Sequence, residues 1–248
     1  DDKPGFTNTS DNACHVVWAA DVGATAILDG FVVQGGYGTT LYGEYTSTGG
    51  GLFLRHASPV IRNCTIRWNR AMDGAGAFCH GLSFPVFEAC CFEHNLIDVP
   101  ITGGAGLSNR TGSPLLLNCI FLGNRCLGMG GAMCNWDGSP MVLHCTFIWN
   151  TAMEWPARGG AFSTFGSAFD TRPVLRNCIL ASNFANEGTQ FGFMGISSLF
   201  VEHSLVEDAG NLTWIEMYRQ GGLEKGPQVE DRDILLTPDG HLISAADA

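Results

Sequence analysis

The chain has 248 residues, of which 45% are hydrophobic and 33 are glycine; this is enough apolar material for a substantial core, with about twice the usual share of glycine. Only 15% of the residues are charged and the formal net charge is -11 at pH 7, which argues against a protein that binds nucleic acid through phosphate contacts. No apolar run approaches the ~20 residues that span a bilayer, so the sequence predicts no transmembrane segment.

One short pattern recurs along the chain and predicts a repeat protein. Its first copy, at 62–69, reads Arg-Asn-Cys-Thr-Ile-Arg-Trp-Asn, and later copies begin at positions 88, 117, 143 and 176. When these copies and two degraded ones nearer the ends are aligned, one column contains Phe31, Cys64, Cys90, Cys119, Cys145, Cys178 and Ser204. Its members are 33, 26, 29, 26, 33 and 26 residues apart, which gives the length of the repeat.

Each copy follows a glycine-rich strand and a turn that ends in proline, as in Gly49–Pro59 and Gly130–Pro140. One repeat therefore consists of strand, turn, strand, bend, strand and variable loop. Strands this short cannot bury an apolar side alone, but coils stacked ~4.8 Å apart can, because each strand pairs in parallel with its equivalent in the next coil. We predict an all-β fold, a right-handed parallel β-helix of about seven coils. It forms a single domain over 1–248, with an entry coil and long loop at 11–48, regular coils at 49–206 and an irregular C-terminal cap at 207–248.

Alternation along the strands predicts which side chains face the inside of the coils. The cysteine column faces inward, as do the columns Ile66, Phe92, Phe121, Phe147, Leu180 and Leu52, Ala77, Leu107, Met133, Phe162. Two asparagine columns are predicted at bends, where asparagine tolerates left-handed φ and its amide bonds to the neighbouring coil. These are Asn63, Asn118, Asn177 and Asn69, Asn95, Asn124, Asn150, Asn183.

The repeats carry paired motifs, Gly-Gly-Ala-x and Phe-x-x-Asn, as in Gly130–Met133 with Phe147–Asn150. In these motifs the chain resembles polymorphic outer-membrane proteins and related bacterial β-helix surface proteins of the pectin-lyase-like superfold. Residues 11–17 and 28–36 are similar to that family's entry into its regular coils, and residues 235–247 to its closing segment. The resemblance implies the fold and an extracellular or cell-surface location of bacterial type. In similar proteins further strands cover the first coil, so it also implies a partner that caps this coil, or a chain that is a fragment.

The variable loops are predicted to stack along one side of the rod, where they form a rim of acidic and aromatic side chains. The loops are 37–48, 71–73, 96–102, 152–158 and 184–190. The candidate ligand-binding residues on this rim are Tyr37, Tyr42, Glu44, Tyr45, Asp73, Asp98, Glu154, Trp155 and Glu187. Such a rim suits carbohydrate stacking or Ca²⁺ binding; the plain alternative is a solvated loop edge without a ligand.

Several other polar side chains have structural interpretations. The outward arginines Arg62, Arg67, Arg70 and Arg176 are expected to pair across coils with acids such as Glu88 and Glu93. A zinc hypothesis for His80, His94 and Cys91 lacks the usual ligand spacing, so no metal site is predicted.

The cysteines divide into two groups. Those of the column are expected to be buried thiols, because in-register parallel side chains meet the disulfide torsion poorly. Those outside the column remain candidates for pairing with one another: Cys14, Cys79, Cys91, Cys126 and Cys134.

The sequence favours a non-catalytic extracellular or cell-surface protein that binds a glycan or a protein partner, or that is a structural subunit of a larger assembly. The alternative is a secreted polysaccharide lyase or glycoside hydrolase acting in a groove along the rim. A lyase needs a base near a group that neutralises the uronate, and a hydrolase needs two carboxyl groups ~5 to ~9.5 Å apart. The repeats contain no lysine and none of the familiar galacturonase signatures.

Overall fold

A computed structural model describes residues 11–38, 46–100, 103–154, 157–167, 171–207 and 222–230. These residues form β-strands, turns and bends, and none of them belongs to a helix long and apolar enough to cross a membrane. The strands pair in parallel and stack the chain into a β-solenoid of about six turns. The predicted parallel β-helix is therefore confirmed.

Each turn of the solenoid contributes strands to four parallel sheets. The first sheet contains Val17–Ala20, Leu52–Arg55, Ala77–His80, Leu107–Arg110, Met133–Trp136, Phe162–Gly166 and Phe191–Gly195. The second contains Ile27–Asp29, Val60–Arg62, Val86–Glu88, Leu115–Leu117, Met141–Leu143, Val174–Arg176, Ser198–Glu202 and Gly222–Lys225. The third contains Val32–Gln34, Thr65–Arg67, Cys91–Glu93, Ile120–Leu122, Thr146–Ile148, Ile179–Ala181, Ser204–Val206 and Val229–Glu230. The fourth contains Tyr37–Gly38, Arg70–Ala71, Leu96–Ile97, Arg125–Cys126, Thr151–Ala152 and Phe184–Ala185.

The core is built from the predicted inward columns, which are aligned by the strand register. The column that contains Phe92, Phe121 and Phe147 is fully buried. These rings stack with centroids 4.6 and 4.8 Å apart and planes within 3° of parallel, the spacing that the strand pairing imposes. From Cys64 to Cys178 the cysteine column is also buried. All ten cysteines lie in the described ranges and none forms a disulfide.

A buried asparagine ladder joins the third and fourth sheets. Asn95 shows its pattern: Nδ2 donates to the carbonyl oxygen of Ile66 at 2.9 Å and to Oδ1 of Asn124 at 2.9 Å. Its Oδ1 accepts bonds from the backbone N–H and from Nδ2 of Asn69, each at 3.1 Å. The same bonds recur from Asn69 to Asn183, so the predicted contact between coils is confirmed and satisfies polar groups at a buried corner.

The left-handed backbone predicted for this ladder is wrong. Positive φ values of 52° to 60° fall on the residue before each asparagine, at Trp68, His94, Gly123, Trp149 and Ser182. The chain turns its corner at that preceding residue, so that the asparagine points inward and reaches the ladder. The prediction holds for the other asparagine column, since Asn63, Asn118 and Asn177 have φ of 52° to 54°.

A column of glycines with positive φ lies just before the strands of the first sheet. Its members are Gly49, Gly74, Gly104, Gly130, Gly159 and Gly188, with φ between 54° and 70°. At Gly130 a Cβ atom would lie 2.1 Å from the carbonyl oxygen of Met133. Only glycine fits such a position without moving the backbone.

The loops predicted to be variable begin with regular structure, which corrects their bounds. Their first residues are strands of the fourth sheet, as at Thr151–Ala152 and Phe184–Ala185. Beneath this sheet lies a second, smaller core of mostly small side chains, in which Ala71, Ala152 and Ala185 pack with Ile97 and Cys126. Small residues give little hydrophobic signal in a sequence, and the strand is correspondingly easy to miss.

Two smaller predictions also need correction. Phe31 takes the predicted place in the cysteine column, since the next residue, Val32, pairs with Thr65, which follows Cys64. Its side chain, however, is 58% exposed whereas the cysteines are buried. Only one arginine pairs with a predicted acid, Arg67 with Glu93 at 3.4 Å. The others have different partners: Arg62 binds Asp29, Arg70 binds Asp98 and Arg176 binds Glu202.

The predicted C-terminal cap lies largely outside the described residues. Within it, Gly222–Lys225 extends the second sheet and Val229–Glu230 extends the third.

Candidate functional site

Asp73, predicted on an exposed rim, is buried: its side chain is 3% exposed. Nε and Nη2 of Arg110 donate to its Oδ2 at 2.9 and 2.6 Å. The guanidinium lies over the rings of Phe78 and Trp136, 5.8 and 5.1 Å from their centroids. Burial raises the pKa of the Asp73 carboxyl, and Arg110 acts in the opposite direction. Asp73 therefore anchors its loop to the outer face of the first sheet.

Asp98 and Tyr37 meet at one arginine. Nη2 of Arg70 binds Oδ2 of Asp98, and its guanidinium lies 5.2 Å from the centroid of the Tyr37 ring. Nη1 of Arg70 also lies 3.5 Å from the Tyr37 hydroxyl. This part of the rim is a structural contact between neighbouring coils.

Glu187 is likewise bound, because Nε of Arg158 donates to its Oε2 at 2.7 Å. Glu154 is exposed to solvent. The remaining rim candidates, Tyr42, Glu44, Tyr45 and Trp155, lie outside the described residues.

The described rim does not bring Asp73 and Glu187 together. Bridges and hydrogen bonds align Thr48, Asp73, Gly103, Met129, Arg158 and Glu187 in one column. Asp73 and Glu187 are thus four coils apart, roughly 19 Å at the spacing of parallel strands, which is too far for a pair of hydrolytic carboxyl groups. Among the described residues no three His, Cys, Asp or Glu side chains cluster as metal ligands. Neither the Ca²⁺ hypothesis nor the zinc hypothesis gains support from this part of the chain.

The first coil presents a different surface, which is apolar and open. Five of its large apolar side chains are 43 to 58% exposed. They are Val16, Trp18, Ile27, Phe31 and Val32. At the positions of Trp18 and Phe31 the second coil has Phe53 and Cys64, which are buried. Ile27 and Val32 lie in outward columns, in which Met141 and Ile120 of later coils are also exposed. The exposure that is particular to this end of the solenoid is therefore that of Trp18 and Phe31.

A cavity of about 420 Å³ opens between the first strands of the first and second sheets. Its walls come from Val17–Ala20 and Ile27–Leu28, and its floor from Leu52, Leu54 and Ile61 of the second coil. Every residue that lines it is apolar. A cavity of this size and composition is typical of a site that takes an apolar group.

Strand edges flank the cavity. Backbone N–H groups of Val17 and Asp21 donate to the second coil. Because parallel strands alternate the direction of their backbone groups, those of Trp18 and Ala20 point to the open side. In the described residues no strand lies beyond Val17–Ala20, Ile27–Asp29 or Val32–Gln34.

Compared with known proteins, the chain matches no family model, no curated protein and no solved structure. The resemblance of its repeats to outer-membrane β-helix proteins therefore remains a sequence-based prediction.

The exposed residues of the first coil were not among the predicted site residues, although an uncovered first coil was expected. One signal was present, since residues 11–38 contain no lysine or arginine. The outward positions of the next coil, by contrast, include Arg62 and Arg67.

Proposed function

We propose that the protein is a non-catalytic β-solenoid that binds a protein partner at its first coil, as a binding module or as a structural subunit of an assembly. The observation that carries this proposal is the apolar cavity at the first coil, with the exposed side chains of Trp18 and Ile27 in its lining. Contiguous apolar surface of this kind marks protein interfaces in soluble proteins. Backbone edges beside it add a second mode of recognition.

A protein fits this surface better than a glycan. Sugar hydroxyls need hydrogen-bond partners, and burying them against an apolar cavity would cost free energy. On the rim, where a glycan was predicted to bind, Asp73, Asp98 and Glu187 are already bound by arginines.

The proposal includes an extracellular or cell-surface location. Its support is the resemblance of the Gly-Gly-Ala-x and Phe-x-x-Asn repeats to those of bacterial surface β-helix proteins.

Two matched variants, each expressed in the cells that naturally produce the protein and then purified, test the proposal. Ile27→Glu places a charge on the first coil, and Met141→Glu places one in the same outward column of the second sheet, four coils away. Ile27 and Met141 have similar exposure, 57% and 44%. Native mass spectrometry of the purified protein should show a complex for the wild type and for Met141→Glu, and the chain alone for Ile27→Glu. If all three proteins run as the chain alone, or if both variants keep the complex, the proposal is wrong.

A further inference from the structure

We infer that the first coil binds an extended polypeptide strand, which adds in parallel to Val17–Ala20, inserts apolar side chains into the cavity and places a basic residue at Asp21. The inference rests on the proposed function and adds the conformation, direction and charge of the partner.

The shape of the site selects an extended strand. The cavity lies against Val17–Ala20, whose open edge offers the backbone groups of Trp18 and Ala20. Alternate side chains of an added strand would point into the cavity, and those between would lie on the outer face beside Trp18. A free acyl chain would fill the cavity but leave the backbone edge without partners, so the two features together favour a polypeptide.

The outer face of this strand is already prepared for stacking. The centroid of the Trp18 ring lies 4.5 Å from that of Phe53, with 27° between the ring planes, and the Trp18 side chain is half exposed. The edge of the His15 ring also packs on Trp18, with centroids 5.1 Å apart. Phe53 in turn stacks on Phe78 at 5.8 Å. An aromatic or large apolar side chain on the added strand would extend this stack by one ring.

The charges of the first coil select a basic partner. Residues 11–38 contain three aspartates and no lysine or arginine. Asp29 is already bound by Arg62 and Asn63 of the second coil, so Asp11 and Asp21 are the carboxylates left for a partner. Asp21 follows the strand directly, with a side chain that is 69% exposed and 3.9 Å from Arg55 of the second coil. A second copy of this chain is disfavoured, because it would bring the same carboxylates together on two bodies of net charge -11.

The second coil supplies a probe of this chemistry. Residues 51–56 read Gly-Leu-Phe-Leu-Arg-His, and their strand already pairs in parallel with the other edge of Val17–Ala20. Leucines alternate with a phenylalanine, and the arginine falls beside Asp21. As a labelled hexapeptide, this sequence should bind the full chain at the open edge.

Backbone methylation of the probe tests strand addition. In the solenoid the amide of Leu52 donates away from the first coil, to Gly76 of the third. A strand on the opposite side of the first coil would therefore turn its leucine amides toward the protein and its phenylalanine and arginine amides away. N-methylation of both leucines should weaken binding at least about tenfold, whereas N-methylation of phenylalanine and arginine should change it less than about threefold. Fluorescence anisotropy measures both.

Charge coupling tests the direction of the strand. Asp21→Asn should weaken binding of the probe about fivefold, and this effect should vanish for a probe with glutamine in place of arginine. A parallel strand places its C-terminal residues at Asp21. A probe with the arginine moved to the N-terminus should bind without sensitivity to Asp21→Asn.

The outcomes separate this inference from the proposed function. Equal tolerance of both methylation patterns would overturn strand addition, while the mass-spectrometry result for Ile27→Glu would still stand. Binding that appears only after deletion of residues 1–10 would assign the edge to the chain itself and overturn the inference. Probe binding with the predicted methylation pattern and Asp21 coupling supports it.

Discussion

The fourth and first coils have the same strand pattern but differ in how many neighbours they have. In the fourth coil, Cys119, Phe121 and Asn124 are buried and bonded or packed on both sides. At the equivalent positions the first coil has Phe31, Val33 and Gly36, and Phe31 is exposed. A coil of a solenoid gains its stability from the coils above and below it, and the first coil has only one such neighbour among the described residues.

The regular columns of buried side chains end one coil before the strands do. The asparagine ladder ends at Asn69, whose Oδ1 accepts the backbone N–H of Gly36 at 2.9 Å. Beyond that bond the first coil has strands in register but no ladder and no phenylalanine stack. Its apolar side chains Trp18 and Phe31 are exposed.

The largest expected effect is a loss of stability when a glycine with positive φ is replaced by alanine in an interior coil instead of the first coil. Gly130 in the interior and Gly30 in the first coil have φ of 65° and 77°, so alanine meets similar backbone strain at both. A Cβ at Gly130 would also lie 2.1 Å from a backbone oxygen, whereas at Gly30 nothing lies within 4 Å. Gly130→Ala should lower the free energy of unfolding by roughly 4 kcal/mol, and Gly30→Ala by about 1 kcal/mol. Urea unfolding followed by circular dichroism measures both, and equal losses would contradict the comparison.

A smaller effect is expected for the ladder. Asn124→Ala leaves the buried Phe92 carbonyl and the side chains of Asn95 and Asn150 without bonds they now make. The loss should be about 3 kcal/mol, since buried unsatisfied groups cost ~1 to 3 kcal/mol each. Asn63→Gly is the control, because Asn63 is exposed and has positive φ, and because its side-chain amide donates to Asp29 of the first coil while its backbone bond to Glu88 survives the substitution. It should cost less than about 1 kcal/mol; a control as costly as Asn124→Ala would refute the contrast.

The rate at which a reagent alkylates cysteine thiols is also expected to differ between the first coil and the interior. Burial raises the pKa of Cys126, inside the second core, to about 12, so at pH 8 only about one thiol in ten thousand is ionised. Cys14 of the first coil is partly exposed. Iodoacetamide should label Cys14 at least about a hundredfold faster than Cys126 in the folded protein, as measured by peptide mass spectrometry. In urea the two rates should converge, and similar rates without urea would disprove the expectation.

The smallest expected effect is a pH dependence that originates in the first coil. Burial lowers the pKa of His15 below its ordinary value of 6.5, and hydrogen bonds to Gly49 and Thr48 oppose this. As the pH falls below 6.5, His15 takes up a proton more readily in the unfolded chain than in the folded one. The folded state therefore loses stability on acidification, whereas above pH 6.5 the full stability is present. The loss should be below about 1 kcal/mol, since the ring is half exposed and water screens it. His15→Gln should flatten this part of the profile between pH 7.5 and 5.5, and an unchanged slope would exclude His15 as its source.

The repeat made much of the fold predictable from the sequence. Cys64 to Cys178 recur with their flanking residues, and strand alternation then assigns the column of Phe92 and Phe121 to the inside. The corner at Trp68 and Trp149 could not be predicted, because tryptophan carries no preference for left-handed φ. It is forced there by the inward turn of the following asparagine.

The candidate site was less predictable, because it depends on side-chain contacts between different columns of the repeat, and alignment of the repeats does not predict these contacts. From the sequence, Asp73 is predicted to be an exposed carboxylate of the rim. In the structure it is covered by Arg110, which lies 37 residues later in the chain. Whether Arg110 reaches Asp73 depends on the packing of Phe78 and Trp136 around its guanidinium. The cavity at the first coil depends in turn on which strand has no neighbour.

Hydrogen exchange of individual amides in the isolated chain tests the open edge most directly. The amides of Trp18 and Ile27 face the open side, whereas their equivalents in the fourth coil, Ser108 and Leu115, face the third coil, where Leu115 donates to Pro85 at 3.0 Å. Trp18 and Ile27 should exchange at least about a hundredfold faster than Ser108 and Leu115. The hexapeptide of residues 51–56 should then slow exchange at Trp18. Equal protection of all four amides in the chain alone would show that the edge is already paired and would contradict the account.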